Sequence, residues 1–258
     1  MAELTIEHNA GFFSCCSVRL SNIISFFNDK KRLPHTIDCS QQFYCYKDNH
    51  LEDINNTFFS EREEDNIVFE TSIDYHWEHQ FIPYCNLDFN TLTPFIKKYF
   101  NISQLVRTIV ERFEQTYNIN YTNTIAVFYR GNDKCIETRI GSYEEYFDKA
   151  EELNIKFPNS IFLIQTDESE FRDEFKTKFP NSFYFEEIPV TSHANNKVMH
   201  NIVQQSNRKH FGALFLAATL CISKCNAIIT HSGNCGIFAV LYRGNSKNVF
   251  QYLTSGWV

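Results

Sequence analysis

Long apolar runs are missing from this chain of 258 residues. No stretch approaches the roughly 20 residues that a membrane-crossing helix needs. Residues 1–9 carry two Glu and lack the basic-then-apolar layout of a secretory signal, so a cytoplasmic protein is expected. A basic surplus is missing too. The 24 Lys and Arg face 31 Asp and Glu, for a net charge of -7, which argues against nucleic acid as a partner but leaves room for a local basic pocket. The nine Cys lack metal spacing. Neither Cys15-Cys16 nor Cys221 with Cys225 has a second ligand pair, so no metal site is expected and the thiols read as free core residues. No Gly-x-Gly-x-x-Gly follows a strand-like run, which removes the main mark of a dinucleotide oxidoreductase. No Asp-x-Asp stands at a strand end, and no repeat or low-complexity tract is visible.

What is present is a soluble globular composition, 43% hydrophobic and 21% charged, with a regular alternation in the second half. Residues 124–129 form an unbroken apolar run that stops at Arg130. Parallel strands read this way because both their faces are covered. Further strands are expected at 160–166, 183–187, 227–230 and 248–253, with helices at 142–153, 168–179, 209–225 and 232–242. Ser142 and Glu145 have capping-box spacing, and Pro180 bars the preceding helix from continuing. A polar loop at 189–206 contains His193 and His200.

The first half is less regular. Gly11 lies between a short strand and an apolar helix at 18–27, and 33–39 reads as the returning strand of a βαβ unit. A short strand is expected at 67–69. Two helices are expected between 90 and 117, broken at 101–103, with Ser103 capping the second. The polar stretch 118–122 marks the expected boundary between an N-terminal α/β domain, residues 1–120, and a C-terminal Rossmann-like domain, residues 121–258.

Three strand ends in the second half carry polar groups that a parallel sheet would bring to one edge: Arg130 with Asp133 and Lys134, Thr166 with Asp167, and His231-Ser232-Gly233-Asn234. Ligands in open α/β sheets bind beyond the carboxyl ends of the strands. Arg offers a planar fork of donors, Lys a point charge, and a helix start at Ser232 free N–H groups, so the set suits a diphosphate. The ordinary alternatives are a surface ion pair for Arg130 and helix caps for Ser232 and Asp167.

These three elements resemble the donor-binding half of the fucosyltransferase-like GT-B glycosyltransferases. In that superfamily one strand ends in His-x-Arg followed by Asp, a later one in Thr-Asp or Ser-Asp, and a C-terminal helix leads through a strand to a Ser-rich helix start. Here Phe128-Tyr129-Arg130-Gly131-Asn132-Asp133-Lys134, Gln165-Thr166-Asp167 and the stretch from Leu220 through Ser223, Cys225 and Asn226 to Gly233 carry the likeness, over residues 124–252. Phe128 stands where the family has His. The chain also resembles compact glycosyltransferases of large DNA viruses. The resemblance implies an α/β fold of two Rossmann-like domains with the donor site in the cleft between them. It implies a metal-independent Leloir transferase without a cofactor. Such an enzyme would move fucose, another deoxyhexose or a pentose such as xylose from a nucleoside diphosphate to a glycan hydroxyl. The donor-binding set would be Gly11, Arg130, Asp133, Lys134, Asp167, His231, Ser232, Gly233 and Asn234.

A transferase of this kind needs a base within reach of the acceptor hydroxyl. Beside Arg130, the candidates for catalysis are Asp38, Asp74, His76 and His79, among which the sequence does not choose, while Trp77 could stack on a sugar. A non-catalytic sugar-nucleotide or glycan-binding module is the competing reading; it would keep the Arg130 pocket and lack a base. Replacing Arg130 by Ala is expected to stop turnover and leave the melting temperature almost unchanged.

Overall fold

The computed structural model describes residues 2–49, 52, 55–60, 72–132, 134–193, 203, 204 and 207–258. Asp133, His200 and the strand expected at 67–69 lie outside the described residues. In the first half, β1 (Leu4–Thr5), α1 (Phe12–Lys30) and β2 (Ile37–Asp38) make the expected βαβ start, with β1 and β2 parallel. Helix α1 begins six residues earlier than expected. Phe12, Phe13, Cys15 and Cys16 are all buried, so its apolar face starts immediately after Gly11. A short α2 (Asn55–Phe58) precedes α3 (Phe89–Tyr99) and α4 (Gln104–Thr116). Asp88 caps α3, and Ser103 caps α4 by accepting from Val106 N–H.

The second half is an open sheet of six strands in the order β5-β4-β3-β6-β7-β8. Its strands are β3 (Thr124–Phe128), β4 (Ile161–Gln165), β5 (Ser182–Phe183), β6 (Ala227–His231), β7 (Val249–Leu253) and β8 (Gly256–Trp257). Every pairing is parallel except β7 with β8, a terminal hairpin that the sequence reading did not separate. Strand β5 is shorter than expected. Phe185 leaves the ladder to stack on Phe113 of α4, with ring centroids 4.1 Å apart, and Glu186 N–H donates to the Tyr117 hydroxyl.

Residues of β3 alternate between two faces. Ile125 and Val127 pack under α5 (Tyr143–Lys156) and α6 (Ser169–Lys178); Ala126 and Phe128 face α7 (Arg208–Lys224) and α8 (Asn234–Arg243). Ser142 and Glu145 form the expected capping box on α5. The second face is shared with the first half: Phe13 of α1 packs edge-on against Phe215 of α7 and at 5.4 Å from Phe238 of α8. One apolar core therefore runs from Ile6 to Leu241, across residue 120. The chain goes from β3 outward to β4 and β5, then returns to place β6 on the other side of β3. This reversal puts a crevice at the carboxyl ends of β3 and β6, where open α/β sheets take their ligands.

Candidate functional site

A cavity of about 470 Å³ opens at that reversal. Its C-terminal wall holds Arg130, Lys134, Glu137, Asp167, His231, Gly233, Asn234 and Cys235. Its other wall comes from residues 10–14 at the start of α1, from Tyr46 and from Trp77 and Gln80.

Arg130 follows β3 and is held in place from two sides. Its Nε donates to Asp167 Oδ2 at 2.9 Å, and Nη1 lies 3.2 Å from Cys235 Sγ. The other Asp167 oxygen accepts from Gly131 N–H at 3.0 Å. Asp167 thus serves the Arg130 loop rather than capping α6, whose N-cap is Glu168. Gly131 is required by close approach, since a Cβ there would fall 2.1 Å from Glu168 Oε1. Glu168 is fully buried; it accepts from the Tyr143 hydroxyl at 2.6 Å and pairs with His193 Nδ1 at 2.8 Å. That hydrogen bond raises the His193 pKa.

Lys134 is 6% exposed, with its Nζ 2.5 Å from Glu137 Oε2 and 5.1 Å from the centroid of Phe81. His231 ends β6. Burial first, and then the charges of Arg130 and Lys134, push its pKa down to about 3, so the ring is neutral at physiological pH. Its Nδ1 lies 3.3 Å from the Phe128 carbonyl, an acceptor, which places the proton on Nδ1 and leaves Nε2 as an acceptor.

Ser232, expected in the donor-binding set with an ordinary helix cap as the alternative, neither lines the cavity nor caps the last long helix. Gly233 is the N-cap of α8, without a side-chain capping bond. Ser232 faces away from the cavity. Its hydroxyl donates to the Tyr252 carbonyl at 3.2 Å and accepts from Gln251 Nε2 at 2.8 Å, because β7 lies beside it and offers those partners. At Gly233, with φ +157°, a Cβ would sit 3.1 Å from Lys134 Cε and 3.3 Å from His231 Nε2.

Two helices, α1 and α8, start at this cavity, each with Gly as N-cap and no acidic residue in its first turn. Their first N–H groups have no acceptor within the helix, and the dipole adds partial positive charge. Arg130 and Lys134 line the same cavity, each paired with a carboxylate that lines it too, Asp167 and Glu137.

Of the expected donor-binding residues, Gly11, Arg130, Lys134, Asp167, His231, Gly233 and Asn234 line the cavity and Ser232 does not. The expected bases stand elsewhere. Asp38 ends β2 and accepts from Ser40 N–H at 2.8 Å; the Ser40 hydroxyl first, and then this N–H, lower its pKa. The Asp74 side chain is 97% exposed and lies 3.8 Å from His79 Nε2. His76 and His79 close the ends of the 3-10 turn Trp77–Phe81: His76 Nδ1 accepts from Glu78 N–H, and His79 Nδ1 from His76 N–H. That turn presents Trp77 and Gln80 to the cavity. The sequence reading missed Glu137, although its position three residues after Lys134 on one short turn was a usable signal. Tyr84 was missed as well. Its hydroxyl lies 3.1 Å from both the nitrogen and the oxygen of Gly233 and 3.2 Å from His231 O. Among the described residues no cluster of three or more His, Cys, Asp or Glu could hold a metal ion, and no helix is long and apolar enough to cross a membrane.

Neither a protein-family model nor a curated protein matches the chain. Solved structures do. The chain is similar to NodZ α-1,6-fucosyltransferase co-crystallised with GDP, with a TM-score of 0.58 and 12% identity over 96% of this chain and 93% of that one. It is similar to fucosyltransferase NodZ from Bradyrhizobium, with a TM-score of 0.58 and 12% identity over 96% and 95%. It is also similar to NodZ soaked with GDP-fucose, with a TM-score of 0.57 and 13% identity over 99% and 97%. At such identities the likeness is one of fold, and the fold is that of the fucosyltransferase-like GT-B proteins.

Proposed function

We propose that the chain is a glycosyltransferase that moves a sugar from a nucleoside diphosphate to a hydroxyl of a glycan. The observation that carries this reading is the convergence of Arg130, Lys134 and two helix starts with glycine N-caps on one cavity at the sheet's reversal point. A diphosphate is the ligand that such donors recognise. Fucose carried on GDP is the reference donor, because the fold is shared with NodZ structures that hold GDP or were soaked with GDP-fucose. Other deoxyhexoses and pentoses such as xylose fit the same chemistry.

Two carboxylates line the cavity among the described residues. Asp167 is spent on Arg130 and Gly131, whereas the Glu137 side chain is 51% exposed. Glu137 is therefore the base in this reading. It takes the proton of the acceptor hydroxyl as that oxygen bonds to the anomeric carbon. The bond from that carbon to the phosphate oxygen breaks, its electron pair leaves with the diphosphate, and a single displacement inverts the centre. Arg130, Lys134 and the helix starts meet the growing charge. A protonated Glu137 holds Lys134 less tightly, which turns the ammonium toward the leaving group. These cations take the place of a divalent metal.

Thermal shift against GDP, UDP, GDP-fucose and NAD tests the reading. A ligand at a hundred times its dissociation constant stabilises by about 2.7 kcal/mol. GDP or UDP should stabilise the protein, and release of the nucleoside diphosphate in the presence of a glycan acceptor should survive EDTA. Stabilisation by NAD alone would overturn it, and loss of turnover on chelation would remove its metal-free part.

A further inference from the structure

The cavity contains two polar groups that a diphosphate cannot satisfy. Gln80 is 4% exposed and lines the cavity, and its Oε1 is buried without a partner among the described residues. Asn234, on the opposite wall at the first position of α8, also lines the cavity with a buried, unpartnered Oδ1. A buried acceptor left unpaired is costly, so both atoms call for donors. Phosphate oxygens are acceptors and belong with Arg130 and Lys134. Hydroxyl groups are donors, and each can also accept from the amide NH₂.

Gln80 is set firmly. It sits on the turn Trp77–Phe81, where the Phe81 ring lies under Lys134 Nζ. Its backbone carbonyl lies 3.5 Å from the Tyr84 hydroxyl, which in turn holds Gly233. Trp77, 39% exposed, lines the cavity from the same turn and offers an aromatic face. Two neutral carboxamides and an indole beside a cationic phosphate site are the equipment for a polyol.

We infer that Gln80 and Asn234 read the hydroxyls of the transferred sugar, so that the donor sugar is chosen by an amide pair contributed by both halves of the chain. The inference rests on the glycosyltransferase reading and adds to it the subsite that distinguishes a sugar nucleotide from a bare nucleoside diphosphate.

The test is calorimetric titration of wild type and two variants, Gln80→Leu and Gln80→Met, with GDP and separately with GDP-fucose. Both variants keep the bulk of the side chain and remove the amide, and melting temperatures identify any that fail to fold. Wild type should bind GDP-fucose, and each folded variant should bind it at least tenfold more weakly while holding GDP within twofold of wild type. Equal losses for the two ligands would overturn the inference by assigning Gln80 to the nucleotide. So would unchanged affinity for both. Where wild type takes UDP instead, the same titrations are run with UDP and UDP-xylose and read by the same criteria; wild-type protein that binds none of these ligands would defeat the glycosyltransferase reading itself, an outcome told apart because it appears before any substitution is made.

Discussion

The two walls of the cavity are built on different principles. The C-terminal wall is charged and wired to itself: Arg130 to Asp167, Lys134 to Glu137, His231 to the Phe128 carbonyl. The N-terminal wall is neutral, made of the rings of Phe12, Phe13, Tyr46 and Trp77, the Gln80 amide and the start of α1. The charged wall is pre-organised, since each cation already has an anion that fixes its position. The neutral wall supplies shape and the Gln80 amide, which faces the Asn234 amide of the other wall. The difference is one of preparation: the charged groups are held by partners within the protein, whereas the amide oxygens of Gln80 and Asn234 are not.

Arg130→Ala should break this arrangement most. The sequence led us to expect a lost activity without a lost stability, and the structure corrects the second part. Arg130 is 18% exposed and Asp167 4%, so removing the guanidinium leaves a buried carboxylate without its cation. Breaking such a pair typically costs ~3–5 kcal/mol. Turnover should vanish and the melting temperature should fall by several degrees. Arg130→Lys should recover part of the stability through its charge and little of the turnover, because the fork that joins Asp167 to a phosphate is gone. Wild-type rates in the Ala variant would remove Arg130 from the site.

Glu137→Gln separates chemistry from binding on the same wall. The side chain is half exposed, so its stability effect should be small. Loss of a general base usually costs about 10²–10⁴ in rate. The expected result is kcat reduced by that order, with the affinity for the nucleoside diphosphate intact or improved because Lys134 no longer has a competing anion. A kcat within threefold of wild type would return the search for the base to other groups.

Gly233→Val tests how close the charged wall lets a ligand come. The new side chain would press on Lys134 and His231, at 3.1 Å and 3.3 Å from the Cβ alone. Moving the ammonium away should weaken donor binding by about tenfold, or 1.4 kcal/mol. A folded variant with normal affinity would show that the start of α8 does not touch the donor.

The contrast between the walls also explains what could be read from the sequence. The strands ending at Phe128, Gln165 and His231 were legible because continuous apolar runs have few other uses in a soluble chain. The helix limits were legible where a cap announces them, at Ser103 and Ser142. Ser232 was expected at the donor because it stands at a strand end before a helix, whereas the neighbouring strand took its hydroxyl. The neutral wall was nearly opaque. Its strands have two residues each and leave almost no periodic signal. His76 and His79 look like catalytic groups in the sequence and turn out to close a 3-10 turn. That the Gln80 oxygen lacks a partner among the described residues is visible only in the structure.

The smallest effect concerns the joint between the walls. Tyr84, from the N-terminal half, accepts from Gly233 N–H and can donate to the carbonyl of His231 or of Gly233. Tyr84→Phe keeps the ring and removes these bonds, leaving the Gly233 N–H buried and unpaired at a cost of ~1–3 kcal/mol. Ser232→Ala is the matched control. It loses hydrogen bonds to the same strand-end loop, but on the side facing Tyr252 and Gln251, at ~1 kcal/mol. If Tyr84 sets the spacing of the walls, the Phe variant should weaken donor binding several-fold beyond its loss of stability, while the Ser232 variant loses stability alone. Parallel changes in melting temperature with no difference in donor affinity between the two would mean that the walls are held by apolar packing, such as Phe13 against Phe215 and Phe238, and not by this hydroxyl.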